Sequence, residues 1–277
     1  MKHNKLVIPI VKWAGGKRQL LPEICKNIPH FSTYYEPFLG GGALLFELQP
    51  KNAVINDFND ALMNVYKVIK THPEELIEDL MRHENTPEYY YEIREIDRDH
   101  KRYSNLSDVK KASRLIYLNK TCYNGLFRVN RAGEFNSPFG YYKSPNIVND
   151  IVIRAVSGYL NANNIIFKTG DFDDVLKRVR KGAFVYFDPP YDPISMSSNF
   201  TGYTDTGFGK DEQLRLKLTC DRLNNTGIKF LLSNSATDFI KGLYKDYNIK
   251  TIFAKRQISA DATTRGDIEE VLISNYD

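Results

Sequence analysis

Three short apolar runs stand out from an otherwise mixed chain: Ala53-Val-Ile-Asn-Asp57, Ala183-Phe-Val-Tyr-Phe-Asp188 and Lys229-Phe-Leu-Leu-Ser-Asn234. Each is brief, rich in β-branched or aromatic residues and closed by a polar turn signal, the pattern of a strand buried on both faces. Helical patterns surround them. Residues 211–223 carry Leu214, Leu218 and Leu223 along one stripe, with Leu216 and Cys220 beside it and Gly227 as a stop. Residues 43–48, 59–70 and 74–82 also read as helices. Strands alternating with helices predict an α/β domain on a mostly parallel sheet. Residues 86–144 break that rhythm with a tyrosine-rich, charged helical stretch and then a basic, aromatic segment. This predicts residues 1–60 and 145–277 as one domain, with residues 61–144 inserted as a mainly helical subdomain. Within the insert, Arg131-Ala-Gly133 reads as the turn of a β-hairpin that holds Arg128 at a projecting edge. Residues 192–210 and 257–267 are long, polar and aperiodic, as loops that either work or are disordered are.

A chain of 277 residues buries a core large enough to need no covalent staple. Cys25, Cys122 and Cys220 lie far apart, without CxxC pairs or a neighbouring histidine cluster, so neither disulfides nor a metal site are expected. No apolar run reaches the length of a membrane span, and a cytoplasmic protein without a membrane partner is expected. Charge changes the picture through its distribution. Lys110, Lys111, Arg114, Lys120, Arg128, Arg131 and Lys143 face the single acid Glu134, a net +6 in a chain of net +4, so the remainder carries −2. Tyr117, Tyr123, Phe127, Phe135, Phe139, Tyr141 and Tyr142 share that stretch. Such a mixture either neutralises phosphates and stacks on bases, or forms a solvated helix over a local aromatic core.

The chemistry concentrates in two motifs. Glu36-Pro-Phe-Leu-Gly-Gly-Gly42 opens the helical pattern of residues 43–48, where glycines let backbone approach a ligand at a helix start. Asp57 follows at the end of a predicted strand, spaced as an acid that accepts bonds from ribose hydroxyls. Together they suggest an adenosine-containing cofactor. Lys12-Trp-Ala-Gly-Gly-Lys17 is a second glycine turn, in which Trp13 reads as a ligand wall.

Asp188-Pro-Pro-Tyr191 closes the apolar run of residues 183–187, at the strand end where α/β sheets place ligands. Two prolines remove two N–H donors and leave carbonyl acceptors. An aromatic amine donates its lone pair into the ring and needs both hydrogens accepted before it can act as a nucleophile. The Asp188 carboxylate and the Pro189 carbonyl supply that pair of acceptors, while Tyr191 offers a ring on which a base can stack. A base inside a duplex cannot reach such a pocket unless it is flipped out. Within Tyr123-Asn-Gly-Leu-Phe-Arg128, Tyr123 and Asn124 suit the vacated gap and Arg128 suits bidentate reading of guanine.

Lys12-Trp-Ala-Gly-Gly-Lys17, Glu36-Pro-Phe-Leu-Gly-Gly-Gly42, Tyr123-Asn-Gly-Leu-Phe-Arg128 with Asn136-Ser-Pro-Phe-Gly140, and Asp188-Pro-Pro-Tyr191 stand in the order found in the Dam family of DNA adenine methyltransferases. From Lys12 to about Asn275 the chain resembles that family. The resemblance implies a Rossmann-like methyltransferase sheet with an inserted, mainly helical target-recognition subdomain carrying the hairpin. It implies methyl transfer from S-adenosyl-L-methionine to adenine N6 in double-stranded DNA, usually at GATC, leaving S-adenosyl-L-homocysteine and using no metal. The catalytic residues carried over are Asp188, Pro189, Pro190 and Tyr191. The cofactor residues are Trp13, Ala14, Gly15, Lys17, Glu36, Pro37, Phe38, Gly40, Gly42, Asp57, Asp171, Phe172 and Asp188. Lys12 and Arg128 match residues that touch bases, Tyr123 and Asn124 match residues that enter the stack, and Leu126, Asn130, Arg131, Pro138, Tyr142 and Lys143 complete the DNA set. Tyr141 departs from the pattern, since some relatives carry arginine there. A cognate restriction endonuclease acting on the same site is the further partner implied. The rival readings are an N4-cytosine methyltransferase, a protein glutamine methyltransferase and a non-catalytic DNA-binding regulator. The first two favour Ser or Asn where this chain has Asp188, and the intact glycine loop and Asp188-Pro-Pro-Tyr191 weigh against the third.

Overall fold

The structure is a computed structural model that describes residues 3–13, 15, 17, 19–193, 208–255 and 267–277. Ala14 and most of the two long polar loops fall outside the described residues. The strands are β1 (Thr33–Glu36), β2 (Asn52–Asp57), β3 (Asn164–Thr169), β4 (Ala183–Phe187), β5 (Lys229–Ser235), β6 (Asn248–Lys255) and β7 (Asp267–Ser274). They form one mixed sheet in the order β3-β2-β1-β4-β5-β7-β6. β1 pairs in parallel with β2 and β4, and β4 with β5, whereas β7 runs antiparallel to both β5 and β6. The three apolar runs are β2, β4 and β5, and every residue of β4 is buried. β1 lies between β2 and β4, so the strand order reverses there, and the carboxyl ends of β1 and β4 flank the point at which such sheets bind ligands.

The chain divides into two compact units. One comprises Lys17–Phe38, Asn52–Ile55 and Asp171–Asp277. Its core sets Val185 and Phe187 of β4, Phe230 and Leu232 of β5, and Val271 and Ile273 of β7 against the helix Lys210–Asn225. That helix is rotated from the expected stripe. Gln213, Leu216, Cys220 and Leu223 point inward, while Leu214 and Leu218 are 45% and 68% exposed. Steps of three, four and three residues keep the first set on one face, and the step of five from Leu218 to Leu223 leaves it.

The other unit comprises Met1–Gly16, Leu39–Lys51 and Asn56–Gly170. The helices Asp60–Thr71 and Asp108–Thr121 start on side-chain caps, with Asn59 accepting from Leu62 N and Ser107 from Lys110 N. Tyr90, Tyr117, Leu118, Cys122, Phe135 and Phe139 form a local core. Several residues of the basic, aromatic stretch therefore serve packing. Tyr117, Phe135 and Phe139 are buried, and Arg114 is 7% exposed, its Nη2 2.9 Å from Asp97 and its Nε donating to the Ile93 carbonyl. The expected hairpin is present: Val129 bridges Phe135, Asn136 N donates to the Arg128 carbonyl and Gly133 turns at φ +81°.

His83 belongs to this aromatic core, stacked 4.4 Å from Tyr117 and bonded to the Tyr89 and Ser113 hydroxyls, each at 3.0 Å. Burial depresses its pKa from 6.5 to about 4, against a weak opposing pull from Asp79. Between those values the unfolded chain binds a proton that the fold refuses, so the contribution is present above pH 6.5 and lost as pH falls toward about 4. Replacing His83 with Gln will flatten the fall in stability across that window, measured by urea unfolding at several pH values; an unchanged slope would refute the assignment.

Candidate active site

β4 delivers Asp188 at its carboxyl end, in the unit that also holds Lys17. Lys17 Nζ lies 2.9 Å from Asp188 Oδ1, with the lysine side chain 6% and the aspartate side chain 21% exposed. Ser233 of β5 donates its hydroxyl to the same oxygen at 3.0 Å, and the Tyr186 hydroxyl lies 3.1 Å from Ser233 Oγ. Burial pushes the Asp188 carboxyl above the usual carboxylate range, opposed by the Lys17 charge and by both hydrogen bonds. The Lys17 ammonium also stands 4.2 Å from the centre of the Tyr191 ring, and the Tyr191 hydroxyl donates to Glu270 Oε2 at 2.7 Å. The ring is thus anchored at its polar end with a cation on one face.

A buried amide pair holds the turn that follows. Gln213 donates to the Pro190 carbonyl at 2.9 Å and accepts from Asn234 Nδ2 at 3.1 Å, while Asn234 Oδ1 accepts from Asp192 N at 3.1 Å. Ser235 and Thr237 add hydroxyl bonds to the Asp192 carbonyl and carboxylate. The Pro190 carbonyl is therefore tied inward, and among the described residues no group donates to the Pro189 carbonyl. In the same unit Glu36 and Pro37 are buried at the end of β1, and Phe38 packs 5.2 Å from Phe172. Asp171 caps the helix Phe172–Leu176 and takes both prongs of Arg215, at 2.9 and 2.6 Å. The Arg215 guanidinium holds the Asp171 carboxyl below its usual range and stacks 4.2 Å from the Phe172 ring.

The glycine loop belongs to the other unit, with Trp13, Gly15 and Asp57. Gly40 sits at φ +49°, and a Cβ there would crowd Trp13 Cδ1 at 3.0 Å, so any side chain would be strained and would press on the indole. Gly42, at φ +69°, begins the helix Ala43–Leu48. Asp57 Oδ2 accepts from Gly40 N at 2.8 Å and Oδ1 from Asn59 N at 2.9 Å, so this acid shapes the loop and keeps a second acceptor direction on each oxygen. Trp13 also stacks on Phe127, 4.7 Å between centroids, which joins the loop to the base of the hairpin. The chemistry of this set fits an adenosine: a loop close enough for backbone contact, aromatic walls and an acid with acceptors in reserve.

The same unit gathers the expected DNA residues. Asn119, buried, brackets Lys12 by accepting from its N–H at 2.8 Å and donating to its carbonyl at 2.7 Å, and donates to the Gly125 carbonyl at 3.1 Å. Lys12 is thereby carried to the turn that holds Tyr123 and Asn124, and its ammonium stands 5.7 Å from the Tyr142 ring. Tyr123, Leu126, Arg128, Arg131, Pro138 and Lys143 are exposed. Asn124 adopts φ +57°, a left-handed conformation that asparagine tolerates. Arg128 Nε donates to Asn136 Oδ1 at 2.8 Å, which steadies the guanidinium on the hairpin. The exposed Asn130 side chain folds over the hairpin turn, its Oδ1 accepting from Ala132 N and Glu134 N.

Motif reading missed Ser233, Asn234, Gln213, Arg215, Glu270 and Asn119. For Ser233 and Asn234 a signal existed, since they are polar residues closing the apolar run of β5. The others meet their partners only through the fold. Among the described residues no group of three or more His, Cys, Asp or Glu side chains is gathered to hold a metal ion, and no helix is long and apolar enough to cross a membrane.

Residues 13–258 match the D12 class N6 adenine-specific DNA methyltransferase family. The chain is 46% identical over 280 residues to the type II methyltransferase M1.LlaDCHI of Lactococcus lactis subsp. cremoris, covering 100% of this chain and 98% of that protein. It is 43% identical over 291 residues to the type II methyltransferase M.MjaIII of Methanocaldococcus jannaschii, covering 98% and 99%. With the DNA adenine methylase of Escherichia coli K12 it shares 31% identity over 277 residues, covering 98% and 95%.

Replacing Gln213 with Ala strands the Pro190 carbonyl and the Asn234 amide, at a cost of roughly 1–3 kcal/mol for each buried group left unpaired. The expected result is a lower unfolding midpoint in urea together with a fall in turnover, because the turn that presents Asp188 loses its bracket. Wild-type values of both would show that the bracket holds nothing.

Proposed function

The chain belongs to the D12 class of N6 adenine-specific DNA methyltransferases, and on that premise we propose that it methylates adenine N6 within GATC in double-stranded DNA, using S-adenosyl-L-methionine and a base flipped out of the helix. The observation that carries this reading is the paired acceptor at the end of β4: the Asp188 carboxylate, restrained by Lys17 and Ser233, beside the Pro189 carbonyl. The amine offers two hydrogens, and two acceptors draw its nitrogen toward tetrahedral geometry as its lone pair leaves the ring. Asp188 does not deprotonate the neutral amine beforehand, because its basicity falls far short. Once the nitrogen carries a positive charge, the proton passes to Asp188 or to water, and the buried, proton-retaining character of this carboxyl favours the first route. Tyr191, fixed by Glu270, offers its ring to the adenine.

S-adenosyl-L-methionine, when bound, supplies an electrophilic sulfonium methyl and leaves as S-adenosyl-L-homocysteine. We assign its binding to Trp13, Gly15, Lys17, Glu36, Phe38, Gly40, Gly42, Asp57, Asp171 and Phe172. Target recognition is assigned to residues 61–144 together with Lys12, and catalysis to residues 1–60 and 145–277. Arg128 and Lys12 read bases, Tyr123, Asn124 and Leu126 occupy the gap left by the flipped nucleotide, and Arg131 and Lys143 anchor phosphates. The relatives from Lactococcus and Methanocaldococcus are named as type II methyltransferases, which supports a place beside a restriction endonuclease acting on the same site. No direct complex with that enzyme is required.

Transfer of labelled methyl to a GATC duplex and to a scrambled duplex, followed by nucleoside analysis, tests cofactor, base and site together. Label in N6-methyladenine from the GATC duplex alone is expected; label from both duplexes would discard the site. Asp188→Ala is expected to abolish turnover while DNA binding persists, and near-normal turnover would sink the catalytic assignment.

A second division is testable within the insert. Arg128→Ala should relax sequence choice by about 1–3 kcal/mol of discrimination, whereas Lys143→Ala should weaken binding about equally on every sequence and lower its salt dependence. Identical effects on specificity from the two variants would erase the distinction between reading and anchoring.

A further inference from the structure

The two oxygens of the Asp188 carboxylate have unequal surroundings. Oδ1 receives Lys17 Nζ at 2.9 Å and Ser233 Oγ at 3.0 Å, whereas among the described residues nothing bonds Oδ2. A carboxylate oxygen offers two good acceptor directions, so Oδ1 is saturated and Oδ2 is the atom left for an incoming N–H. We infer that Ser233, backed by Tyr186, is a positioning residue for methyl transfer, turning the Asp188 carboxylate so that Oδ2 faces the target amine. The inference rests on the reading of Asp188 as the amine acceptor.

Donor accounting gives the pair its direction. Ser233 has one hydroxyl proton and, besides the Tyr186 hydroxyl at 3.1 Å, two acceptors in reach, Asp188 Oδ1 at 3.0 Å and the Phe187 carbonyl at 3.4 Å. The Tyr186 hydroxyl, buried with its residue 1% exposed, has Ser233 Oγ as its partner among the described residues. If Tyr186 donates to Ser233, the serine proton is free for the shorter bond to Asp188, and the chain runs from Tyr186 through Ser233 to Oδ1. Because Tyr186 is sealed in the core, this chain carries no proton to water and acts by orientation. Lys17 does not replace it. An ammonium on a four-carbon stem fixes charge more than angle. The serine instead rides on β5, which is paired with β4 at Tyr186↔Leu231 and Phe187↔Leu232, one residue before Ser233 and Asp188. Losing a hydrogen bond to the charged form also raises a carboxyl pKa. The other titratable groups around the network are Lys17, the phenols of Tyr186 and Tyr191, and the carboxyls of Glu36 and Glu270.

Ser233→Ala alone would strand the Tyr186 hydroxyl, so the informative protein is the double variant Ser233→Ala/Tyr186→Phe, which removes both hydroxyls. Steady-state methylation of a duplex substrate should be followed from roughly pH 5 to pH 9, with Asp188→Ala in parallel. The double variant is expected to lose roughly 10- to 100-fold in kcat with KM for DNA and S-adenosyl-L-methionine little changed. The acid limb of its kcat profile should move to higher pH. A double variant with wild-type kcat and acid limb, beside an inactive Asp188→Ala, overturns the positioning role and leaves Asp188 in place. Proportional losses in kcat and affinity with an unmoved acid limb also overturn it, since that is how a merely structural pair behaves. Active Asp188→Ala would instead bring down the reading beneath it. Should the double variant fail to fold, Tyr186→Phe strands no donor and leaves Ser233 bonded less firmly to Asp188, so a smaller loss in kcat with a smaller shift of the acid limb in the same direction is expected; no change in either counts against the inference.

Discussion

A carboxylate at the end of a fully buried strand must be kept charged and kept aimed, and the ion pair between Lys17 and Asp188 meets the first requirement. Partly buried pairs of this kind add little net stability, because the desolvation of two charges offsets most of their attraction, yet removing one partner leaves the other costly to bury. The pair therefore contributes little to folding by itself, and its placement suits the acceptor role proposed for Asp188. Around it the same unit supplies what a lone lysine cannot: a hydroxyl from β5 on the anchored oxygen, a carboxylate on the Tyr191 phenol, and the Gln213–Asn234 bracket behind the prolines. The backbone of the turn is restrained by proline rings on one side and by amides on the other, which leaves the Pro189 carbonyl without a donor among the described residues.

The parallel centre of the sheet was legible because β4 is apolar throughout and β2 and β5 each carry three consecutive apolar residues bounded by polar ones. β1 was not, since Thr33–Glu36 is four residues long and alternates between half-buried and buried positions, a pattern too short to stand out. β6 and β7 pair with each other in an antiparallel ladder, but Lys250 and Thr251 interrupt the apolar residues of β6, and β7 carries three acids among its first four residues. In the helix Lys210–Asn225 leucines drew the eye toward Leu214 and Leu218, whereas a buried glutamine, bonded to the Pro190 carbonyl, marks the true inner face. The glycine loop and Asp188-Pro-Pro-Tyr191 were legible for a different reason, because their residue types are dictated by local backbone and chemistry. Ser233, Glu270 and Arg215 meet their partners only when distant segments come together, and no local pattern announces such meetings.

The basic and aromatic stretch shows how far composition reaches. Its charge pointed toward a polyanion, and the fold sorts that charge, turning Arg114 and three aromatics inward to build the core that carries the hairpin and leaving Arg128, Arg131 and Lys143 outward. The packing reading holds for the buried subset, and the exposed subset is the one to which DNA contact is assigned as a proposal. Asn119 makes the division useful by fastening Lys12, distant in sequence, to the turn that bears Tyr123.

Trp13 is the sole tryptophan of the chain, and it lies between the glycine loop at Gly40 and the ring of Phe127 at the root of the hairpin. Nearly all intrinsic emission at long ultraviolet wavelengths must originate from that one indole. Its colour and intensity depend on the polarity and quenching of its immediate surroundings, so the protein carries an unlabelled optical gauge at the joint between the loop and the hairpin. A change on either side of the joint is written into the same spectrum.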